Sequence, residues 1–168
     1  GGDADFTFER FIIGNREGEH SLFCSNEAGI HIKGLRGTLT VRDCSFEGMG
    51  DDVLNIHSKA AIAASVSGST VVAKDGRSGN ALDTNWAQVG DTVDFYSSNL
   101  LKLGSAVITK IDNSTLTFDA LPDGVGTGTV LQNLSNTPTS VTISGTTVVR
   151  SRARAFLLQC PVASVTDC

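Results

Sequence analysis

The sequence predicts an all-β chain: a parallel β solenoid interrupted by a small inserted antiparallel barrel. Two observations predict it. The apolar pattern of Thr38–Ser58 returns without a gap in Thr139–Cys160, and the roughly 80 residues between the two copies carry a different pattern of short strands and turns. No long stretch with a 3.6-residue apolar period interrupts either region, which argues against helical or leucine-rich repeats.

The first element is Ala28-Gly29-Ile30-His31-Ile32-Lys33-Gly34, in which Ile30 and Ile32 alternate with polar residues. Its pattern matches the last strand of the unit Thr38–Ser58. Aligned with Thr139–Cys160, that unit sets Leu39 on Val141, Val41 on Ile143, Phe46 on Val148, Leu54 on Phe156 and Ile56 on Leu158. Repeats of about 20 to 25 residues built from period-2 strands place equivalent residues on neighbouring strands, about 4.8 Å apart. Residues 1–58 and 139–168 are therefore assigned to the solenoid and 59–138 to the insertion.

An excursion of that length must fold as a module of its own. Ser69–Ala73, Asp91–Tyr96, Ala106–Ile111 and Ser114–Asp119 read as its strands, with turn signals at Val89-Gly90-Asp91 and Asp112-Asn113-Ser114. Several short strands at this spacing predict an antiparallel barrel. Asn133–Pro138 leads back to the solenoid. Open coils need caps, and a chain that starts at Gly1 and stops at Cys168 within a strand-like pattern reads as a fragment of a larger protein.

Thirteen Lys and Arg against eighteen Asp and Glu give a net charge of −5, and there is no basic run, so nucleic acid is not expected as a partner. No apolar stretch reaches the length of a membrane-spanning helix. Cys24, Cys44, Cys160 and Cys168 form no metal-ligand spacing. They read as core thiols, with a Cys160–Cys168 disulfide as the alternative.

The candidate chemistry lies in Gly48-Met49-Gly50-Asp51-Asp52-Val53, a glycine-flexed turn bearing adjacent carboxylates before the strand Leu54–His57. With Leu54 and Ile56 inward, Asn55 and His57 point outward. Stacking forms one outer row from His31, Asn55 and Leu157 and another from Lys33, His57 and Gln159. Such rows of hydrogen-bonding side chains suit a sugar, though a solvated polar face needs no function. Adjacent carboxylates raise each other's pKa unless a cation offsets them. The alignment supplies cations, with Arg154 on Asp52 and Arg152 on Gly50. Asp52 is then expected to stay ionised and Asp51, if drier, to hold a proton, the division needed for a general base and a general acid. The bland alternative is an Asx turn capped by arginine.

Phe46–His57 and Arg150–Gln159, together with Val89–Tyr96 of the insertion, resemble glycoside hydrolase family 110 over nearly the whole chain. The resemblance implies a right-handed parallel β-helix with an inserted β-barrel. It implies an inverting exo-α-1,3-galactosidase acting without a cofactor or metal, and a secreted, periplasmic or cell-surface location. Carried over by position, Asp51 and Asp52 resemble the paired catalytic aspartates. Ala28 stands where the family pattern has another aspartate, and the adjacent Glu27 is the candidate substitute. His31, Asn55, His57, Arg152, Arg154 and Gln159 are the expected substrate-binding residues, and the partner is a glycan with terminal α-linked galactose. Two alternatives are another β-helix polysaccharide-active enzyme, polygalacturonase-like or lyase-like, and a non-catalytic sugar-binding or adhesin module.

Overall fold

A computed structural model describes residues 3–168. In chain order the strands begin with β1 (Phe6–Glu9), β2 (Ile12–Ile13), β3 (Ile30–Lys33), β4 (Thr38–Arg42), β5 (Ser45–Glu47) and β6 (Leu54–His57). There follow β7 (Ala60–Ser67), β8 (Thr70–Asp75), β9 (Thr92–Tyr96), β10 (Lys102–Asp112), β11 (Thr115–Phe118) and β12 (Val130–Asn133). The last are β13 (Ser140–Ser144), β14 (Thr147–Val149), β15 (Phe156–Leu158) and β16 (Ala163–Thr166). The chain divides into two compact units, residues 1–57 with 137–168, and residues 58–136.

In the first unit the strands form three parallel sheets, β1-β4-β13-β16, β2-β5-β14 and β3-β6-β15. Leu39 pairs with Val141 and Val41 with Ile143. Phe46 pairs with Val148, Leu54 with Phe156 and Ile56 with Leu158. Alternation along each strand sends Leu39, Val41, Phe46, Leu54, Ile56, Val141 and Ile143 into one core, all at most 1% exposed. Phe46 sits where the chain passes closest to Gly29: a Cβ there would lie 2.9 Å from the ring and 3.0 Å from the Val53 carbonyl.

This arrangement corrects the expected right-handed parallel β-helix. The all-β class and the antiparallel barrel hold, but among the described residues the strands pair as short parallel sheets of four, three and three strands rather than as a solenoid. The physical reason lies in what the repeat encodes. Matching apolar positions fix the register between one pass of chain and the next, a condition that three short parallel sheets satisfy fully. They do not dictate a continuous coil.

The second unit is a closed six-stranded barrel of order β10-β11-β8-β7-β12-β9, with every neighbouring pair antiparallel. Four of its strands coincide with the four expected segments. The two that complete closure, β7 and β12, were not expected. Its core contains Trp86, Phe95, Phe118, Leu116, Ile108 and Leu131, with Phe95 and Phe118 edge to face at 5.1 Å between ring centroids. Trp86 comes from a loop, and its indole N–H donates to the Lys59 carbonyl at 2.7 Å. Among the described residues no helix is long and apolar enough to cross a membrane.

Replacing Phe46, which is fully buried, removes a side chain that contacts its own pass and lies beside Gly29 of the preceding segment. Phe46→Ala is expected to destabilise the protein by about 3–5 kcal/mol, read by urea unfolding. An unchanged midpoint would show that the first unit's core does not depend on that ring.

Candidate functional site

The acidic turn is held from both sides by backbone hydrogen bonds. Toward the preceding pass, Cys24 N–H donates to Gly48 O at 2.8 Å, Gly50 N–H to Ser25 O at 2.7 Å and Ile30 N–H to Val53 O at 2.8 Å. Toward the following pass, Gly48 N–H donates to Val149 O, Arg152 N–H to Met49 O and Val53 N–H to Arg154 O, at 3.0, 2.9 and 2.9 Å. Gly50 is needed because a Cβ would lie 2.8 Å from the Asn26 carbonyl oxygen. Met49 and Val53 are fully buried on either side of Asp51-Asp52, so the turn is pinned by packing as well.

The two aspartates meet different fates. The Asp52 side chain is 1% exposed and takes a forked ion pair, with Arg154 Nε donating to Oδ1 at 2.8 Å and Nη2 to Oδ2 at 3.0 Å. The Arg154 backbone N–H also donates to Oδ1 at 3.2 Å, and Asn55 Nδ2 to Oδ2 at 3.4 Å. The Arg154 hydrogen bonds outweigh burial and hold the Asp52 carboxyl below the ordinary carboxylate range, while the Asp52 anion raises the Arg154 pKa. The expected pairing of Arg154 with Asp52 is therefore present. Asp51, by contrast, is exposed, so the drier of the two carboxylates is Asp52.

Around this turn the outer face of β3 and β6 carries the expected rows. His31 pairs with Asn55 and Lys33 with His57 across β3 and β6, and Asn55 with Leu157 across β6 and β15. His31 Nε2 and His57 Nε2 lie 2.9 Å apart. Burial lowers the His31 pKa, assisted by His57 and Lys33, while Asp51 and Glu27 pull it the other way. Both exposed carboxylates therefore act on one imidazole. Glu27 is also tied into its loop, its N–H donating to Ser25 Oγ at 3.3 Å. Asn55 Oδ1 is buried without a hydrogen-bond partner.

The structure thus gathers Asp51, Asp52, Glu27, His31, Asn55, His57 and Arg154. Arg152 and Gln159 are exposed, and what places them is backbone pairing, to Met49 O and Ile56 O respectively, each at 2.9 Å. A second inter-pass ion pair, Arg150 Nη2 to Glu47 Oε1 at 2.5 Å, was not singled out from the sequence. Its signal was present: Arg150 aligns with Gly48, one place beyond Glu47. All four cysteines are free thiols, Cys44 buried and Cys168 exposed. A depression of about 310 Å³ lies on the barrel, lined by Ala60, Tyr96, Leu100, Val130 and Gln132, none of them a predicted site residue.

No protein-family model and no curated protein matches the chain. The site must be read from its own chemistry.

A carboxylate whose pKa is lowered in the folded state stabilises the fold above the unfolded value of 3.8, and that stabilisation is lost as pH falls through the lower folded value. Asp52→Asn is expected to cost about 2 kcal/mol at neutral pH, because the buried anion of a charge-assisted fork is gone. The difference between wild type and variant should shrink as the medium becomes more acid. Unfolding midpoints measured from about pH 7 down to about pH 2 test this. A difference that stays constant with pH would remove ionised Asp52 as its source.

Proposed function

We propose that the acidic turn belongs to a glycosidase surface that releases terminal α-linked galactose, resembling the inverting exo-acting α-1,3-galactosidases. The observation that supports this reading is the grouping of two exposed carboxylates, Asp51 and Glu27, about His31, next to a third carboxylate that Arg154 keeps ionised. Inverting hydrolysis uses one carboxylic acid to protonate the leaving oxygen and one carboxylate to activate water, about 6.5 to 9.5 Å apart. Side chains from two different passes can bracket a sugar in a way that adjacent residues cannot.

In this reading Asp51 and Glu27 together supply the acid and the base. Asp52 was expected on the base side, but a base must reach water, and both Asp52 oxygens are engaged and buried. Asp52 instead positions Arg154, whose side chain is 64% exposed and can donate to a sugar hydroxyl. His31, Asn55 and His57 line the polar row beside it, with Arg152 and Gln159 at its margins. The reading invokes no cofactor, and a secreted, periplasmic or cell-surface location belongs to it. The engagement of Asp52 favours one second reading, a surface that binds galactosides without cleaving them.

Galactose release from terminal α-1,3-galactosides, measured beside binding of the same glycans, separates the two. Asp51→Asn and Glu27→Gln are each expected to lower kcat by about a hundredfold or more with binding retained. Near-normal rates in both variants would remove these groups from the mechanism. Binding without release in the wild type would select the second reading, and neither binding nor release would discard both.

A further inference from the structure

His31 and His57 sit diagonally on the parallel strands β3 and β6, since His31 is paired with Asn55 and His57 with Lys33. Their ring centroids are 5.1 Å apart, the planes tilted by 35°, and the two Nε2 atoms approach to 2.9 Å. Such an approach is attractive only if one Nε2 carries a proton that the other accepts, or if a cation lies between two unprotonated nitrogens. Two Nε2–H groups would repel. The second arrangement has a well-defined geometry: metal–nitrogen bonds of about 2.05 Å at about 90° place two cis imidazole nitrogens roughly 2.9 Å apart.

We propose that His31 and His57 form an open two-imidazole site for a divalent transition metal of the Cu²⁺ or Ni²⁺ class, on the outer face of the β3–β6 sheet. The site uses two residues of the polar row in the glycosidase reading, His31 and His57, but does not rest on that reading. Imidazole suits these metals, and the two Nε2 atoms already stand at the separation that cis ligation needs. Lys33 repels a dication, and the Asp51 and Glu27 carboxylates, which act on the same ring with opposite sign, offset it. Among the described residues no group of three or more His, Cys, Asp or Glu side chains is placed to hold a metal ion. The remaining coordination positions therefore belong to water or to a small chelating ligand. A metal that arrives already chelated, with two cis positions free, matches the pair best.

The full chain should bind one equivalent of Cu²⁺–iminodiacetate near about pH 7.5, with an electron paramagnetic resonance spectrum showing two imidazole nitrogens. His31→Gln and His57→Gln should each weaken binding at least about tenfold, because the second donor acts intramolecularly. The exposed His20, the remaining histidine of the chain, should be replaceable by Gln without effect. Equal affinity in all three variants would overturn the site. So would a wild-type spectrum of a single imidazole nitrogen, a result that holds even if a variant fails to fold.

Discussion

Register between successive passes of chain is the constraint on which the rest depends. Leu39 on Val141, Phe46 on Val148 and Leu54 on Phe156 fix it in three sheets at once. A slip of one residue in any of them would turn its inward apolar set to water. The same register delivers Arg154 to Asp52 and stands His31 beside Asn55. Nothing in the acidic turn chooses these partners. The apolar side chains of the core choose them, and the backbone bonds on either side of Met49-Gly50 lock the choice.

The Asp52 environment shows how packing decides chemistry. Two neighbours in sequence with identical side chains end in opposite surroundings, because Asp52 lies inward beside fully buried Val53 while Asp51 faces solvent. Asp52 then lies buried, where an unpaired carboxylate would be costly, and the fork from Arg154 makes its burial tolerable. Removing Arg154 would strand the buried carboxylate, whereas the exposed guanidinium loses only its anchor when Asp52 is removed. Asp51 carries no such burden, so it is free to face a ligand.

How much of this was legible follows from what each signal encodes. Period-2 apolar alternation and its repetition made the strands β3, β4, β5, β6, β13 and β15 and their register readable, and through the register the Asp52–Arg154 pair. The barrel's existence was readable from its turns, but β7 and β12 were not. Ala60-Ala61-Ile62-Ala63-Ala64 is rich in a residue that strands disfavour, and Val130–Asn133 has only four residues and runs straight into the Leu134-Ser135 turn. Both are strands because barrel closure satisfies their backbone, a tertiary cause that local pattern does not carry. The step from repeat to solenoid failed for a related reason, since register says which residues are neighbours and not how long an array they build. The relative burial of Asp51 and Asp52 was legible too, since parity counted back from inward Leu54 sends Asp52 inward and Asp51 outward, as the structure has them.

The charges around the turn also sort by pH. Asp52 stays anionic through the neutral range, because its fork with Arg154 moves its titration to more acid conditions. His31 has its pKa lowered by burial and by His57 and Lys33, so its ring is unprotonated at neutral pH. At neutral pH the outer face therefore presents a fixed buried anion, an exposed guanidinium and neutral His31 as a hydrogen-bonding group, with Asp51 and Glu27 beside them. Acidification charges His31, whose ring then repels Lys33. When Asp52 is protonated, Arg154 loses its anchor. Neutral His31 and the Arg154 guanidinium anchored by Asp52 are thus two distinct ways of holding a ligand on one face, one lost by protonating an imidazole and the other by protonating a carboxylate.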